Sequence, residues 1–266
     1  MREVPALSDG LPPTLDASRR GPVAVLTLNR PEKRNALGDA MILGIERFFA
    51  TLPRDVRAVV LTASGDHFCA GLDLSEMAER DTIAGIEHSR MWHRVFEAIE
   101  FGPVPVVAAL KGAVVGGGLE LAAAAHIRVA ERSSFYALPE GQRGIFVGGG
   151  GSVRLPRLIG VARMTDLMLT GRRYDADEGA AAGLTQYVVD DGSGLEAALE
   201  LAARIADNAS QTNFAVLQAL PRIAEAGPRE GYFMEAMMAA IAQGTDDAKG
   251  RMQAFLDGRA GKVTDR

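Results

Sequence analysis

The chain has 266 residues, of which 47% are hydrophobic and 24% charged, so it carries enough apolar material for a large core. Its 29 basic and 34 acidic side chains leave a formal net charge of −5, with no basic stripe to release phosphate counterions, and nucleic acid is excluded as a partner. One cysteine and four histidines exclude a disulfide framework and argue against a structural zinc site.

Residues 1–20 mix acids, prolines and arginines without an apolar stretch, which predicts a flexible N-terminal arm rather than a signal peptide. No apolar run reaches the roughly 18 residues of a membrane span. Leu119 to Ala125 comes nearest, but Glu120 interrupts it, so no membrane partner is expected. From Pro22 the pattern alternates. Val23 to Leu28 reads as a buried strand stopped by Asn29-Arg30-Pro31, and Met41 to Leu52 has helical spacing. Val56 to Ala63 and Val104 to Leu110 read as further strands, with an amphipathic helix from Ile83 to Ile99 between them that carries Trp92 and Phe96. Strands alternating with helices predict an α/β core. Gly148 to Ser152 has linker composition, yet apolar sequence flanks it, which predicts a tight turn opening a helix. Gln186 to Val189 reads as the last strand of a core over residues 21–192. Residues 193–266 read as a helical region, with three or four helices from Leu195 to Leu256 broken near Pro221 and Gly227-Pro228.

Chemistry concentrates in Gly116-Gly117-Gly118-Leu119-Glu120, where a strand ends and a strong helix former begins. Free amides at such a helix start carry partial positive charge and suit an anion, including an oxyanion formed only during reaction. The dinucleotide fingerprint fails at Leu121 and the phosphate-binding loop fails at Gly118-Leu119. Glu120 is either an ordinary acid on the first helical turn or, in a helix buried nearly all round, a carboxylate facing a cavity. Glu140, in Pro139-Glu140-Gly141, taken alone is a loop acid. Cys69, in His67-Phe68-Cys69-Ala70-Gly71-Leu72-Asp73-Leu74, reads as a small buried hydrophobe because no base is placed beside it. His67 and His126 read as turn and strand residues rather than ligands.

Together these segments resemble the enoyl-CoA hydratase/isomerase (crotonase) superfamily. The resemblance runs from about Val23 to Val189, through Leu28 to Pro31, Asn35 to Leu37, Phe68 to Leu74, Gly116 to Ala122, Pro139-Glu140, Gly149 to Leu155, Leu169 to Gly171 and Ala182 to Leu184. It implies an α/β fold, a spiral of repeated ββα units with a C-terminal helical oligomerisation region that builds trimers or dimers of trimers. It implies an acyl-CoA thioester substrate and an enzyme with no separate cofactor or metal; the single cysteine makes a reducing cytoplasm the expected compartment. Matching the motifs assigns the oxyanion-holding amides to Leu72 and Gly117, water activation to Glu120 and the α-carbon proton to Glu140. Substrate contacts are expected from Arg30, Lys33, Arg34, Ala70, Asp73, Leu74 and Gly116. Two acids favour a hydratase over isomerases that keep one, and Gly148 stands where dienoyl-CoA isomerases carry an aspartate. The alternatives are 3,2-enoyl-CoA isomerisation on the same scaffold, a non-catalytic acyl-CoA binding protein, and a structural assembly protein.

Overall fold

Leu15–Arg20 (β1) lies antiparallel to Val23–Leu28 (β2), in register from Leu15 opposite Leu28 to Arg20 opposite Val23. The description comes from a computed structural model and covers residues 7–76 and 81–259. The flexible arm expected over residues 1–20 is therefore corrected at its C-terminal end, while its first six residues lie outside the described residues. Only Leu15 of β1 is fully buried, so an edge strand with one wet face carries the composition of a loop. Ala58–Ala63 (β3), Val106–Leu110 (β4), Ala113–Val115 (β5), Ile127–Glu131 (β6), Phe135–Ala137 (β7), Tyr174–Asp175 (β8) and Tyr187–Val189 (β9) complete two sheets. The larger has the order β1-β2-β3-β4-β6-β9, parallel from β2 onward, and the smaller has the order β5-β7-β8.

Helices separate the strands: α1 (Asp39–Ala50), α2 (Thr82–Glu100), α3 (Gly117–Ala124), α4 (Gly151–Ile159), α5 (Val161–Thr170), α6 (Ala176–Ala182) and α7 (Gly194–Asp207). The chain coils by repeating one move. A strand joins the large sheet, a short extended piece joins the small ladder, and a helix returns the chain. In the turn built on β4 these pieces are β4, β5 and α3, with only Lys111-Gly112 between the strands. Single parallel bridges, Leu37 to Leu72 and Cys69 to Val114, extend the small ladder into the two earlier turns. This is the crotonase spiral.

The central strands β2, β3 and β4 are apolar on both faces, as burial on both sides requires. Ala24, Leu26, Leu28, Leu61 and Leu110 point into the main core with Phe48, Phe96 and Leu121. The alternate residues Val23, Val25, Val60, Val107 and Val129 meet Ala198, Leu199, Ala202 and Ala206 of α7. Each fully buried Leu or Phe contributes about 1.5–3 kcal/mol relative to exposure. The small side chains at 198, 202 and 206 recur every four residues, which lets α7 lie flat on the sheet. Accordingly the first compact unit runs to Ala206, and α7 belongs to it rather than to the helical tail that was expected to start at residue 193.

The second unit begins at Asp207 and contains α8 (Ser210–Gln218), α9 (Leu220–Glu225), α10 (Pro228–Gln243) and α11 (Asp246–Leu256). With α7 this makes five helices among the described residues from 194 on, not three or four; residues 260–266 of the predicted helical region lie outside the description. The unread breaks are at Asn208-Ala209, which contains neither Gly nor Pro, and at Gly244-Thr245, where the Thr245 hydroxyl accepts from Ala248 N at 3.2 Å. No helix among the described residues is long and apolar enough to cross a membrane.

Candidate active site

Between β5 and α3 the backbone turns at Gly116, with φ 54° and ψ −125°, a left-handed conformation that favours glycine. The Gly116 amide donates to Ala137 O at 3.0 Å, and its carbonyl accepts from Glu120 N, also at 3.0 Å, to start the helix. Gly117 follows as the first residue of α3, where a helical amide has no partner within the helix. Leu72 reaches the same place from the preceding turn. Asp73 N donates to Leu37 O, and Gly71 O accepts from Leu37 N, so the intervening Leu72 amide faces away from that ladder. A Cβ added at Gly117 would lie 3.5 Å from Leu72 N and 3.1 Å from Trp92 Cζ3. The two amides thus border one small space, floored by the Trp92 ring.

That space opens into a cavity of about 440 Å³ whose walls include Leu72, Trp92, Gly117, Glu120 and Glu140. Glu120, one turn into α3, is 3% exposed, and its Oε1 accepts from Gly149 N at 2.8 Å and Gly151 N at 2.7 Å. Burial raises its pKa above the ordinary carboxylate value, opposed by amides of the glycine loop and the Arg154 charge. Glu140 opens a short 3-10 turn, Pro139–Arg143, that directly follows β7. Its Oε1 sits against Gly116, 2.6 Å from where a Cβ there would be, and its buried Oε2 has no hydrogen-bond partner among the described residues. Burial raises the Glu140 pKa too, and the Glu120 charge adds to the rise.

The other expected contact residues do not line this cavity. Arg30 Nη1 pairs with the buried Asp73 Oδ2 at 2.8 Å. Ser75 donates to Asp73 Oδ1 from its hydroxyl at 2.6 Å and its amide at 2.9 Å, and Lys33 Nζ donates to Ser75 Oγ at 3.4 Å. The Ser75 hydroxyl, with Arg30 and Lys33 nearby, holds the Asp73 carboxyl below its usual range. Arg34 and Leu74 are exposed, and Ala70 N donates to Arg34 O at 3.0 Å. Asn35, fully buried at φ 55°, ties this loop together. Its Oδ1 accepts from Arg30 N at 2.8 Å, and its Nδ2 donates to Ser64 O and His67 O at 2.9 and 2.8 Å.

Cys69 is buried in the small ladder, and burial pushes its thiol up to about 12, which removes it as a nucleophile at neutral pH. His67 and His126 accept backbone amides, from Ala113 and Val106. Among the described residues no three His, Cys, Asp or Glu side chains are grouped to hold a metal.

The cavity also has walls that the motifs did not single out: Gly85, His88, Ser89 and Trp92 of α2, and Ile145 to Val147 after the Glu140 turn. His88 Nε2 lies 2.7 Å from Asp39 Oδ1. The i, i+3, i+4, i+7 spacing of 85, 88, 89 and 92 marks one face of α2. Periodicity alone does not say that this face meets a hole rather than a core.

The enoyl-CoA hydratase/isomerase family model matches residues 18–266. The chain belongs to this family. It is 34% identical over 244 residues to the short-chain-enoyl-CoA hydratase of Clostridium acetobutylicum, covering 91% of this chain and 94% of that one. It is 33% identical over 249 residues to the 2,3-dehydroadipyl-CoA hydratase of Escherichia coli K12, covering 92% and 96%. Among solved structures, an inferred enoyl-CoA hydratase from Rhodopseudomonas palustris CGA009 is 60% identical with a TM-score of 0.91, covering 92% of this chain and 95% of that one. The enoyl-CoA hydratase of Bacillus anthracis is 32% identical with a TM-score of 0.87, covering 94% and 98%. The chain shares the fold of these two structures over more than nine-tenths of its length.

Proposed function

We propose that this family member hydrates a 2-enoyl-CoA, adding water across the 2,3 double bond. The observation that carries this reading is that Glu120, Glu140, Leu72 and Gly117 line one cavity, with the Leu72 nitrogen close to Gly117. With the thioester oxygen in that space, the Leu72 and Gly117 amides would hold the negative charge that develops as the enolate forms. Fixed donors of this kind are worth roughly 2.7–4 kcal/mol each when removed elsewhere.

The environments of the two acids differ in a way that suits two roles. Two amides on Oε1 stabilise the charged form of Glu120, so it serves as the base that takes a proton from water as oxygen bonds to C3. Glu140 has no such donors on Oε2 and feels the Glu120 charge, so it keeps its proton and delivers it to C2. The reaction moves no electrons to an acceptor, so it requires no redox cofactor; the two amides would take the part of a Lewis-acid metal at the carbonyl oxygen, and coenzyme A enters as part of the substrate. Lys33, Arg34 and the Arg30–Asp73 pair would meet the nucleotide, with Ala70, Leu74 and Gly116 shaping the approach. We further propose a cytoplasmic homotrimer or dimer of trimers, supported by the exposed Phe214, Tyr232, Phe233 and Leu256 of the second unit; light scattering tests the stoichiometry.

The purified protein is expected to bleach the conjugated thioester absorbance of at least one member of a 2-enoyl-CoA chain-length series. Glu120→Gln and Glu140→Gln should each slow this by orders of magnitude. Full turnover in both variants overturns the two-acid mechanism. A shifted double bond without incorporation of solvent oxygen identifies an isomerase, and tight binding without turnover identifies a binding protein.

A further inference from the structure

The glycine loop that leads into α4 is held by side chains on three sides. Ser89 Oγ on α2 donates to Gly148 O at 2.6 Å. Glu120 accepts from the amides of Gly149 and Gly151. Arg154, on the first turn of α4, donates from Nη1 to Gly149 O at 3.0 Å and from Nε to Glu100 Oε2 at 2.6 Å. Gly149 therefore faces Glu120 with its N–H and Arg154 with its carbonyl. The guanidinium lies in the space that a side chain on Gly150 (φ 93°) would need, and Arg154 is only 7% exposed.

Stability alone does not account for this placement. Burying an arginine costs several kcal/mol of hydration, and a buried pair often contributes no net stability against apolar residues of equal volume. What the pair does achieve is a fixed charge one residue away from Glu120. We propose that Arg154 is a positioning residue of the active site: held by Glu100, it fixes through Gly149 the loop amides that grip Glu120 and favours the carboxylate of that acid. The proposal rests on the reading of Glu120 as the acid–base group.

Other charges face the same region and set the sign. The Glu120 charge acts on Glu140 across the cavity, and Arg143 acts on Glu140 in the opposite sense. On α2, His88 lines the cavity with Asp39 as its partner, and His93 Nε2 lies 3.3 Å from Ser89 Oγ. Against this background the two ends of the Glu100–Arg154 pair have opposite effects. Arg154→Gln removes the cation and moves the Glu120 titration to higher pH. Glu100→Gln leaves the cation less neutralised and moves it to lower pH. A merely structural role moves both variants in the same direction or neither.

The test follows the Glu120 carboxyl by carbon NMR in protein labelled at glutamate Cδ, assigned by loss of the signal in Glu120→Gln. Opposite displacements of the midpoint are expected. In hydration assays Arg154→Gln should lower kcat on the order of 100-fold with little change in KM, as misplacement of a catalytic group does. Arg154→Lys should restore the acid limb of the pH profile. If Arg154→Gln does not fold, Glu100→Gln carries the test alone, because the Glu100 side chain is 29% exposed and loses only charge. An unmoved midpoint in Glu100→Gln, or a shift to higher pH, overturns the proposal. Opposite midpoint shifts in a protein that hydrates no enoyl-CoA would instead mean that the positioning stands and the hydratase reading fails.

Discussion

Glu140→Gln is expected to make the protein slower and more stable at once. Glu140 is 6% exposed, its Oε2 is buried without a partner among the described residues, and the Glu120 charge faces it across the cavity, so folding favours its protonated form. Holding an acid protonated where the unfolded chain ionises costs about 1.4 kcal/mol per pH unit, and an amide of the same shape keeps the volume without that cost. Relief of about 1–2 kcal/mol at neutral pH follows, or roughly 2–8 °C in melting temperature for a unit of this size. The sign with pH is set by the direction of the shift. Because folding raises the Glu140 pKa, the wild-type contribution is fully present below the ordinary glutamate value and is lost as pH rises through the folded value. The variant lacks this dependence, so its advantage should be absent at pH 4 and grow towards neutrality. Hydration should fall by about 10²–10⁴-fold, the usual share of a general acid. Melting curves at several pH values, with turnover of a 2-enoyl-CoA, measure both effects. A variant that turns over at the wild-type rate, or whose melting difference does not grow with pH, refutes the reasoning.

Gly117→Ala should place a methyl group in the space that both amides border, 3.5 Å from Leu72 N and 3.1 Å from Trp92, and lower kcat/KM by roughly 10²–10³-fold while the melting temperature changes little. Cys69 should resist a soluble aromatic disulfide reagent at pH 8 in the native protein and react fully in denaturant, since its thiol is buried and pushed up to about 12; fast native labelling would contradict that. Asn35→Ala should cost about 4 kcal/mol in urea unfolding, from three side-chain hydrogen bonds at ~1 kcal/mol each and a left-handed backbone that alanine adopts at a cost of about 1. Asn35→Gly should recover only the backbone share, and a loss below 1 kcal/mol in the alanine variant would show that this loop is held elsewhere.

Three neighbouring strands of the large sheet, β2, β3 and β4, were legible because they are apolar on both faces and short, whereas β6, with Arg128 and Glu131, was not read. Val23–Leu28 was bounded to the residue, and Ala58–Ala63 and Val106–Leu110 to within two. The small sheet was not, because β5 and β7 have three residues each and β8 has two, too few for a period to emerge. β1 was lost for the opposite reason: a strand with one wet face looks like a loop. α7 was read as tail because Ala198, Ala202 and Ala206 carry little hydrophobic signal, although smallness is what seats them on the sheet. At the site, Glu120 stood out as a charge in an apolar helix, whereas Glu140 was distinguishable from any loop acid only through family resemblance. The grip of Gly149 and Gly151 on Glu120 spans 29 and 31 residues of chain, and no local pattern reports it. The α2 wall was visible as a face, but its concave neighbour arises only when the helices assemble.

Cys69 bonds to Ala113 O through its amide and receives Val115 N on its carbonyl, so the strand pieces carrying Leu72 and Gly117 are locked to each other a few residues upstream. The gap between those two amides is consequently a pitch, inherited from how successive coils stack, and owes nothing to the side chains at either position. Walls that choose an acyl group can then drift freely while the electrophile's seat keeps its dimensions. An insertion within one coil would uncouple the pair even if every residue around the cavity stayed the same.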